Sequence, residues 1–258
     1  MTKRVTVVRL WNLSWLSSSL PDWVAELQER LAAPGGGRIV TPNAEIMLYA
    51  ARHPKFLRTL ASAEFCLPDG VGILWASRCL NRPLPFRLAG SDTLEALLPA
   101  YQGTVFLWGG QRGVAQRAVQ QLQRRFPKVS VLGAASGYYE PSEEPDIIEA
   151  IRRARPRLVL LGLGSPRQEN LMQQVYAAYP QAWYMGVGGM IDVLAGRCLR
   201  APAVWRRLGL EWVYRAARDP IRLRRWPALL QFAAWVIAQK ITAAPGDDFD
   251  FGIEAQSK

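Results

Sequence analysis

Short apolar runs alternate along the chain with longer segments that repeat apolar residues every three to four positions. The short runs predict β-strands, and the longer periodic segments predict α-helices. The predicted strands span residues 5–10, 38–40, 64–67, 104–108, 129–132, 158–161 and 183–187, and the residues from 11 to 19 are predicted as a loop. The predicted helices span residues 21–31, 43–60, 71–80, 114–126, 145–154 and 168–178. Since strands and helices alternate over short connections, we expect an α/β fold with a mostly parallel sheet and helices on both faces.

This alternation ends near Gly196, where a basic segment begins. Residues 197–240 contain ten Arg or Lys against two acidic residues, so they carry +8 of the chain's net charge of +11. We therefore predict three parts: a catalytic core over 1–196, a basic helical appendage over 197–240 and an acidic, unstructured tail over 241–258.

Tryptophans lie among these basic residues. Trp205, Leu208 and Trp212 are spaced so that one face of a helix would carry all three, with arginines on the other faces. Helices with tryptophan on one side and arginine on the other lie in anionic membrane interfaces. We expect this segment to dock on a membrane. The alternative is that it forms a helical cap that packs on the core, with its arginines exposed to solvent.

Several classes of chemistry fit the composition poorly. The chain has one histidine, His53, which disfavours a Ser-His-Asp triad and a multi-histidine metal site. Its three cysteines are far apart, as expected in a reducing compartment. No signal-peptide pattern opens the sequence, and the apolar run over 228–238 is shorter than the roughly 20 residues of a spanning helix. The acidic run over 248–250 reads as solvated, so no metal site is predicted.

Polar side chains follow two of the predicted strands, and ligands of parallel sheets bind at the carboxyl ends of strands. Asp69 lies in a Pro-Asp-Gly turn and is either a turn residue or a general base. Thr41 and Asn43 stand before a predicted helix, where capping is the favoured role and ligand binding is compatible with it.

Glycine-rich turns follow three further strands and contain Gly109, Gly164 and Gly188. Helix N-termini after such turns can hold a phosphate or diphosphate, so together they indicate a nucleotide-type ligand. Arg87 is a candidate for the charge of a diphosphate leaving group. Its alternative is a surface arginine before a helix cap at Ser91 or Asp92.

Eight short motifs in order resemble the WecG/TagA/CpsF family of glycosyltransferases. They are TPNAE (41–45), LPDGVG (67–72), RLAGSD (87–92), WGG (108–110), GLGSPRQE (162–169), GVGGMID (186–192), RAP (200–202) and LEWVYRAARDPIRLRR (210–225). The resemblance implies a Rossmann-like core and an inverting, metal-independent enzyme without a cofactor. That enzyme would move an N-acetylhexosamine, with N-acetylmannosamine expected, from UDP to a polyprenyl-diphosphate-linked N-acetylglucosamine in the synthesis of cell-envelope polysaccharide or teichoic acid.

The resemblance also implies roles for individual residues. Asp69 would deprotonate the acceptor hydroxyl, and Arg87 would bind the substrate phosphates. Three residues would line the donor-sugar pocket: Thr41, Asn43 and Gln168. Three arginines of the appendage would close over the diphosphate: Arg215, Arg222 and Arg225. The expected partners are a UDP-sugar, a polyprenyl-diphosphate glycolipid and an anionic membrane surface, not nucleic acid. The expected location is the cytoplasm, on the inner face of the plasma membrane.

Two other classes of function were weighed against this one. A basic α/β protein that binds nucleic acid without catalysis would lose binding steeply with salt and would not need Asp69. A nicotinamide-dependent oxidoreductase needs a complete GxGxxG motif, and Arg167 stands at its third glycine position. The sequence leaves a monomer and a homo-oligomer both open.

Overall fold

The computed structural model describes residues 5–198, 200–202, 205, 214, 226–242 and 249–250. Within these residues the strands are β1 Thr6–Leu10, β2 Leu13–Ser17, β3 Gly37–Val40, β4 Phe65–Cys66, β5 Thr104–Gly109, β6 Ser130–Ala135, β7 Leu158–Gly162 and β8 Trp183–Gly186. The α-helices are α1 Leu20–Ala32, α2 Ala44–Arg52, α3 Pro54–Ala61, α4 Val71–Cys79, α5 Gly90–Leu97, α6 Val114–Arg125, α7 Glu144–Ala154, α8 Arg167–Ala178, α9 Met190–Leu194 and α10 Trp226–Thr242.

One sheet contains these eight strands in the order β1-β2-β4-β3-β8-β7-β5-β6. Strands β1 and β2 pair antiparallel, and the other described pairs are parallel. The mostly parallel sheet is therefore confirmed, but the loop predicted over 11–19 is wrong. Trp11 and Asn12 both have positive φ and form a two-residue hairpin turn that leads directly into β2.

Helices cover both faces of the sheet, as expected. In β7, Val159 and Leu161 belong to one hydrophobic cluster, whereas Leu158 and Leu160 belong to the other. This alternation is the two-residue period of a strand buried on both sides. The first cluster includes residues of α2, α3, α4, α7, α8 and α10, and the second includes residues of α1, α5, α6 and α9.

The helix predicted over 43–60 is two helices. Helix α2 ends at Arg52, and α3 begins at Pro54. Pro54 lacks the backbone N–H that a continuous helix would need at this point, and its ring disfavours the helical conformation at His53. The structure also contains two helices that the apolar pattern did not mark, α5 and α9.

Helix α10, the described end of the predicted appendage, packs on α2 and α4. Its Phe232 and Val236 are buried in the first cluster, and Trp11 Nε1 donates a hydrogen bond to Gln239 Oε1 at 2.8 Å. In the predicted tail, Asp250 Oδ1 accepts a hydrogen bond from the backbone N–H of Asn12 at 2.6 Å. The boundaries at 196 and 240 stay predictions.

The other side of α10 carries exposed apolar residues, here named the α10 stripe: Trp226, Leu230, Ile237 and Ile241. Their spacing of four, seven and four places them on one face of the helix. None of the helices in the described ranges combines the length and the apolar character that crossing a bilayer requires.

Candidate active site

The predicted site residues of the core lie along the carboxyl edge of the sheet. They stand in the loops that leave five neighbouring strands, β4, β3, β8, β7 and β5. These loops carry Asp69 after β4, Thr41 and Asn43 after β3, Gly188 after β8, Gly164 and Gln168 around the turn after β7, and Gly109 at the end of β5. Residues far apart in sequence therefore form one row, as expected for parallel strands.

Asp69 is held at this edge by its backbone. Its N–H donates to the carbonyl oxygen of Pro42 at 3.3 Å, which ties the loops after β4 and β3 together. The N–H of Leu88 donates to Pro68 at 2.9 Å and brings Arg87 alongside. Arg87 Nη1 lies 3.8 Å from Asp69 Oδ1, and about a third of the Asp69 side chain (32%) is exposed. A partly solvated carboxylate thus stands beside a cation, and a substrate can reach both.

Asn43 caps helix α2. Its Oδ1 accepts a hydrogen bond from the backbone N–H of Ile46 at 3.0 Å, so the capping role is confirmed. Thr41 Oγ1 lies 3.5 Å from the carbonyl oxygen of Gly186, which links the loop after β3 to β8. Contact of either residue with a donor sugar stays a prediction.

Gln168 is buried and spans the gap between α8 and the turn after β8. Its Oε1 accepts a hydrogen bond from the Gly188 N–H at 3.3 Å, and its Nε2 donates to Glu169 Oε1 at 3.1 Å. A side chain at Gly186 would clash with Nε2 of Gln168. The amide is therefore fixed from both ends, and a glycine in β8 makes room for it.

Glu169 is the buried carboxyl beside this amide. It is 2% exposed, and its Oε2 has no hydrogen-bond partner within the described part of the chain. Burial raises the pKa of Glu169 above its ordinary value, opposed by hydrogen bonds that include one with Ser165. The sequence had marked Glu169 only as part of the GLGSPRQE motif.

The glycine turns bring backbone close to backbone at this edge. Gly164 and Gly188 have positive φ, which favours glycine, and a side chain at Gly109 would clash with the carbonyl oxygen of Gly162. Gly164 is exposed and Gly188 is half-buried, whereas Gly109 is buried; contact of these turns with a nucleotide stays a prediction.

Arg87 is held by a second carboxylate, Asp92, in the first turn of α5. Helix α5 begins at Gly90 with Ala89 as its N-cap residue, so the alternative of a cap at Ser91 or Asp92 is wrong. Asp92 Oδ1 also accepts from Arg200 Nη2 at 2.6 Å. The sequence marked Asp92 only as a possible helix cap and Arg200 only as part of the RAP motif.

The three arginines predicted to close over the diphosphate, Arg215, Arg222 and Arg225, lie outside the described residues. Among the residues that are described, no group of three or more His, Cys, Asp or Glu side chains could hold a metal ion.

A parallel sheet with a carboxylate, an arginine and glycine turns along its carboxyl edge is typical of α/β enzymes that transfer groups from phosphate-bearing substrates. The model of the Glycosyl transferase WecG/TagA/CpsF family matches residues 8–245, and the chain belongs to this family. It is 32% identical over 237 residues, which is 90% of this chain and 91% of the relative, to the N-acetylglucosaminyldiphosphoundecaprenol N-acetyl-beta-D-mannosaminyltransferase of Bacillus spizizenii strain W23. The protein is a glycosyltransferase, so the non-catalytic alternative is set aside.

Proposed function

We propose that this protein transfers N-acetylmannosamine from UDP to a polyprenyl-diphosphate-linked N-acetylglucosamine, with inversion and without a metal or cofactor. The donor and acceptor are suggested by the name of the Bacillus spizizenii relative. The observation that carries the mechanism is the position of Asp69, beside Arg87 at the carboxyl edge of the sheet.

In this mechanism Asp69 accepts the proton of the acceptor hydroxyl as its oxygen bonds to the anomeric carbon of the donor. The bond between that carbon and the UDP oxygen breaks, and its electron pair leaves with UDP. The new bond forms on the opposite face of the sugar, so the configuration inverts. A positioned base of this kind contributes about 10²–10⁴-fold to the rate.

The charge that develops on UDP needs cations close to it. Arg87 lies at the edge beside Asp69, and Arg215, Arg222 and Arg225 are proposed to close over the diphosphate from the appendage. Thr41, Asn43 and Gln168 are proposed to hold the donor sugar. Gly109, Gly164 and Gly188 are proposed to let the nucleotide and its phosphates approach the backbone.

We further propose that the enzyme works as a peripheral protein on the cytoplasmic face of the plasma membrane. The α10 stripe exposes apolar side chains on the helix at the end of the basic segment. Apolar and cationic groups together favour adsorption to an anionic bilayer. A polyprenyl-linked acceptor would lie in that bilayer, within reach of a docked enzyme.

The test is UDP release from a panel of UDP-sugars, with EDTA present, with and without a polyprenyl-diphosphate-N-acetylglucosamine analogue. We expect acceptor-dependent release from UDP-N-acetylmannosamine. Release from another UDP-sugar instead would reassign the donor, and loss of release on adding EDTA would overturn metal independence.

Asp69→Asn tests the base. We expect turnover to fall by about 10²–10⁴-fold while UDP affinity is kept. Asp146→Asn, the same change on the exposed surface of α7, is the matched control. Turnover of Asp69→Asn equal to that of the control would remove Asp69 from the mechanism.

A further inference from the structure

A chain of alternating charges runs from the proposed base to the start of the appendage. Arg87 approaches Asp69 Oδ1 with Nη1 and contacts Asp92 Oδ2 with Nη2. Arg200 Nη2 donates to the other oxygen of Asp92, Oδ1, at 2.6 Å, and Arg200 Nη1 lies 2.5 Å from Glu95 Oε2. Two arginines thus share the single carboxylate of Asp92, and one of them reaches Asp69.

The middle of this chain is shielded from solvent, whereas its ends at Asp69 and Glu95 are 32% and 39% exposed. The side chain of Arg200 is 7% exposed, and that of Asp92 is 14% exposed. Charged hydrogen bonds are stronger and more directional when shielded. Removal of one partner leaves a shielded charge with less compensation from charges of opposite sign. Helix α5 fixes the position of Asp92, and Arg200 also donates to Ser91 Oγ at 3.0 Å. The contacts therefore hold Arg200 at one place on α5.

Arg200 stands where the core meets the predicted appendage. It comes four residues after Gly196, and the next residue, Ala201, is buried. The mechanism proposed above uses Arg87 directly and gives Arg200 no contact with substrate.

We propose that Arg200 is a positioning residue: through Asp92 it sets the place of the Arg87 guanidinium and so ties the root of the appendage to the active site. The proposal rests on the proposed function for the role of Arg87 at the diphosphate. It names a function for the RAP motif (200–202) that is separate from membrane docking.

The physical reason is that Asp69 and Asp92 both attract the Arg87 guanidinium. Asp92 holds one edge of the guanidinium, and Nη1 stays 3.8 Å from Asp69, beyond hydrogen-bond distance for this pair. While Arg200 shares the Asp92 charge, Asp92 attracts Arg87 less strongly. Without Arg200, Asp92 Oδ1 would attract Arg87 Nη1 as well, which would turn this nitrogen away from Asp69 and the substrate side.

The test measures UDP affinity by calorimetry, which requires neither donor sugar nor acceptor. The variants are Arg200→Gln in the wild-type and in the Arg87→Ala background. We expect Arg200→Gln to weaken UDP binding by about tenfold in the wild type, the order of effect of losing one charge-assisted hydrogen bond. In the Arg87→Ala background we expect no further loss, because the group through which Arg200 acts is gone.

Two further variants separate positioning from folding. Glu95→Gln removes the other ion pair of Arg200 without touching Arg87, and we expect UDP affinity within about twofold of wild type. Arg200→Lys keeps the charge and should restore most of the affinity that Arg200→Gln loses. Should Arg200→Gln unfold in thermal melts, Arg200→Met, which removes the charge but fills the same space, carries the same comparison with Arg87→Ala.

Equal losses in the two backgrounds would show that Arg200 acts independently of Arg87 and would overturn the inference. So would no loss in either background. If the effect of Arg200→Gln on UDP affinity depends on Arg87 as predicted but the wild-type protein transfers no N-acetylmannosamine, the proposed donor is overturned. This inference would then still stand. A wild type that does not bind UDP would overturn both.

Discussion

The α10 stripe gives the sharpest test of membrane docking, through the triple variant Leu230→Ala/Ile237→Ala/Ile241→Ala. These side chains are 69%, 50% and 77% exposed, so they amount to about two fully exposed aliphatic side chains. We expect the variant to fold normally, because substitutions on exposed surface change stability by only about 0.5 kcal/mol each. We expect it to bind anionic vesicles much more weakly.

The size of the effect follows from the exposed area. Shortening Leu or Ile to Ala removes three carbons, each worth about 0.8 kcal/mol when buried. Weighted by exposure, the triple variant loses about 4.7 kcal/mol if the stripe inserts completely, and about 2.4 kcal/mol if half of it does. At 1.4 kcal/mol per factor of ten, vesicle affinity should fall between about fiftyfold and about two thousandfold.

The assay is co-sedimentation with vesicles of anionic lipid at fixed ionic strength. The matched control is Val7→Ala/Leu132→Ala, which shortens exposed aliphatic residues on β1 and β6. Unchanged vesicle binding by a folded triple variant would refute docking through α10. A change in oligomeric state by light scattering, without a change in vesicle binding, would instead show that a second copy of the chain covers the stripe.

Three further predictions concern buried positions. Phe232→Ala should lower the free energy of unfolding in urea by about 3–5 kcal/mol, because this ring is 2% exposed. Gly186→Ala should raise the donor KM by about ten- to a hundredfold by displacing Gln168, whereas Gly189→Ala, which meets no atom within 4 Å, should not. Burial raises the pKa of Glu169, so this group lowers stability as pH rises above about 4.5. The stability of Glu169→Gln relative to wild type, from urea unfolding at several pH values, should therefore increase with pH; a constant difference would contradict it.

The fold could be predicted from sequence where one local rule decides. The continuous apolar run over 158–161 predicted a strand, which the structure buries on both faces, and Pro21 marked the start of α1, which Ser19 caps. The predictions fail where the backbone departs from the common pattern. Trp11 adopts a left-handed conformation that nothing in its residue type suggests, so the hairpin into β2 was taken for a loop.

The site divides in the same way. The rule that parallel strands present their carboxyl ends at one edge placed Asp69 correctly, because it depends only on strand order and direction. The partners of Arg87 depend on packing between segments. Asp92 and Arg200 are 108 residues apart in sequence. The spacing of apolar residues predicts helices and strands, but it does not predict that α5 contacts the start of the appendage. The GLGSPRQE motif marked Gln168. Its hydrogen bond with Gly188 depends on how α8 packs against the turn after β8, and its hydrogen bond with Glu169 depends on side-chain conformation, so the sequence could not show either.

The Arg200 contacts change how the appendage should be studied. Truncation after Gly196 would remove the α10 stripe together with Arg200, and it would also expose the surface of α2 and α4 that Phe232 and Val236 cover. Loss of activity after such a truncation would therefore combine these three physical causes with the loss of Arg215, Arg222 and Arg225. Point variants separate them, since the stripe variant changes only exposed side chains, Arg200→Gln changes only the ion chain, and Phe232→Ala changes only buried packing. If membrane docking and positioning of Arg87 are independent functions, the stripe variant keeps full UDP affinity while Arg200→Gln keeps full vesicle binding.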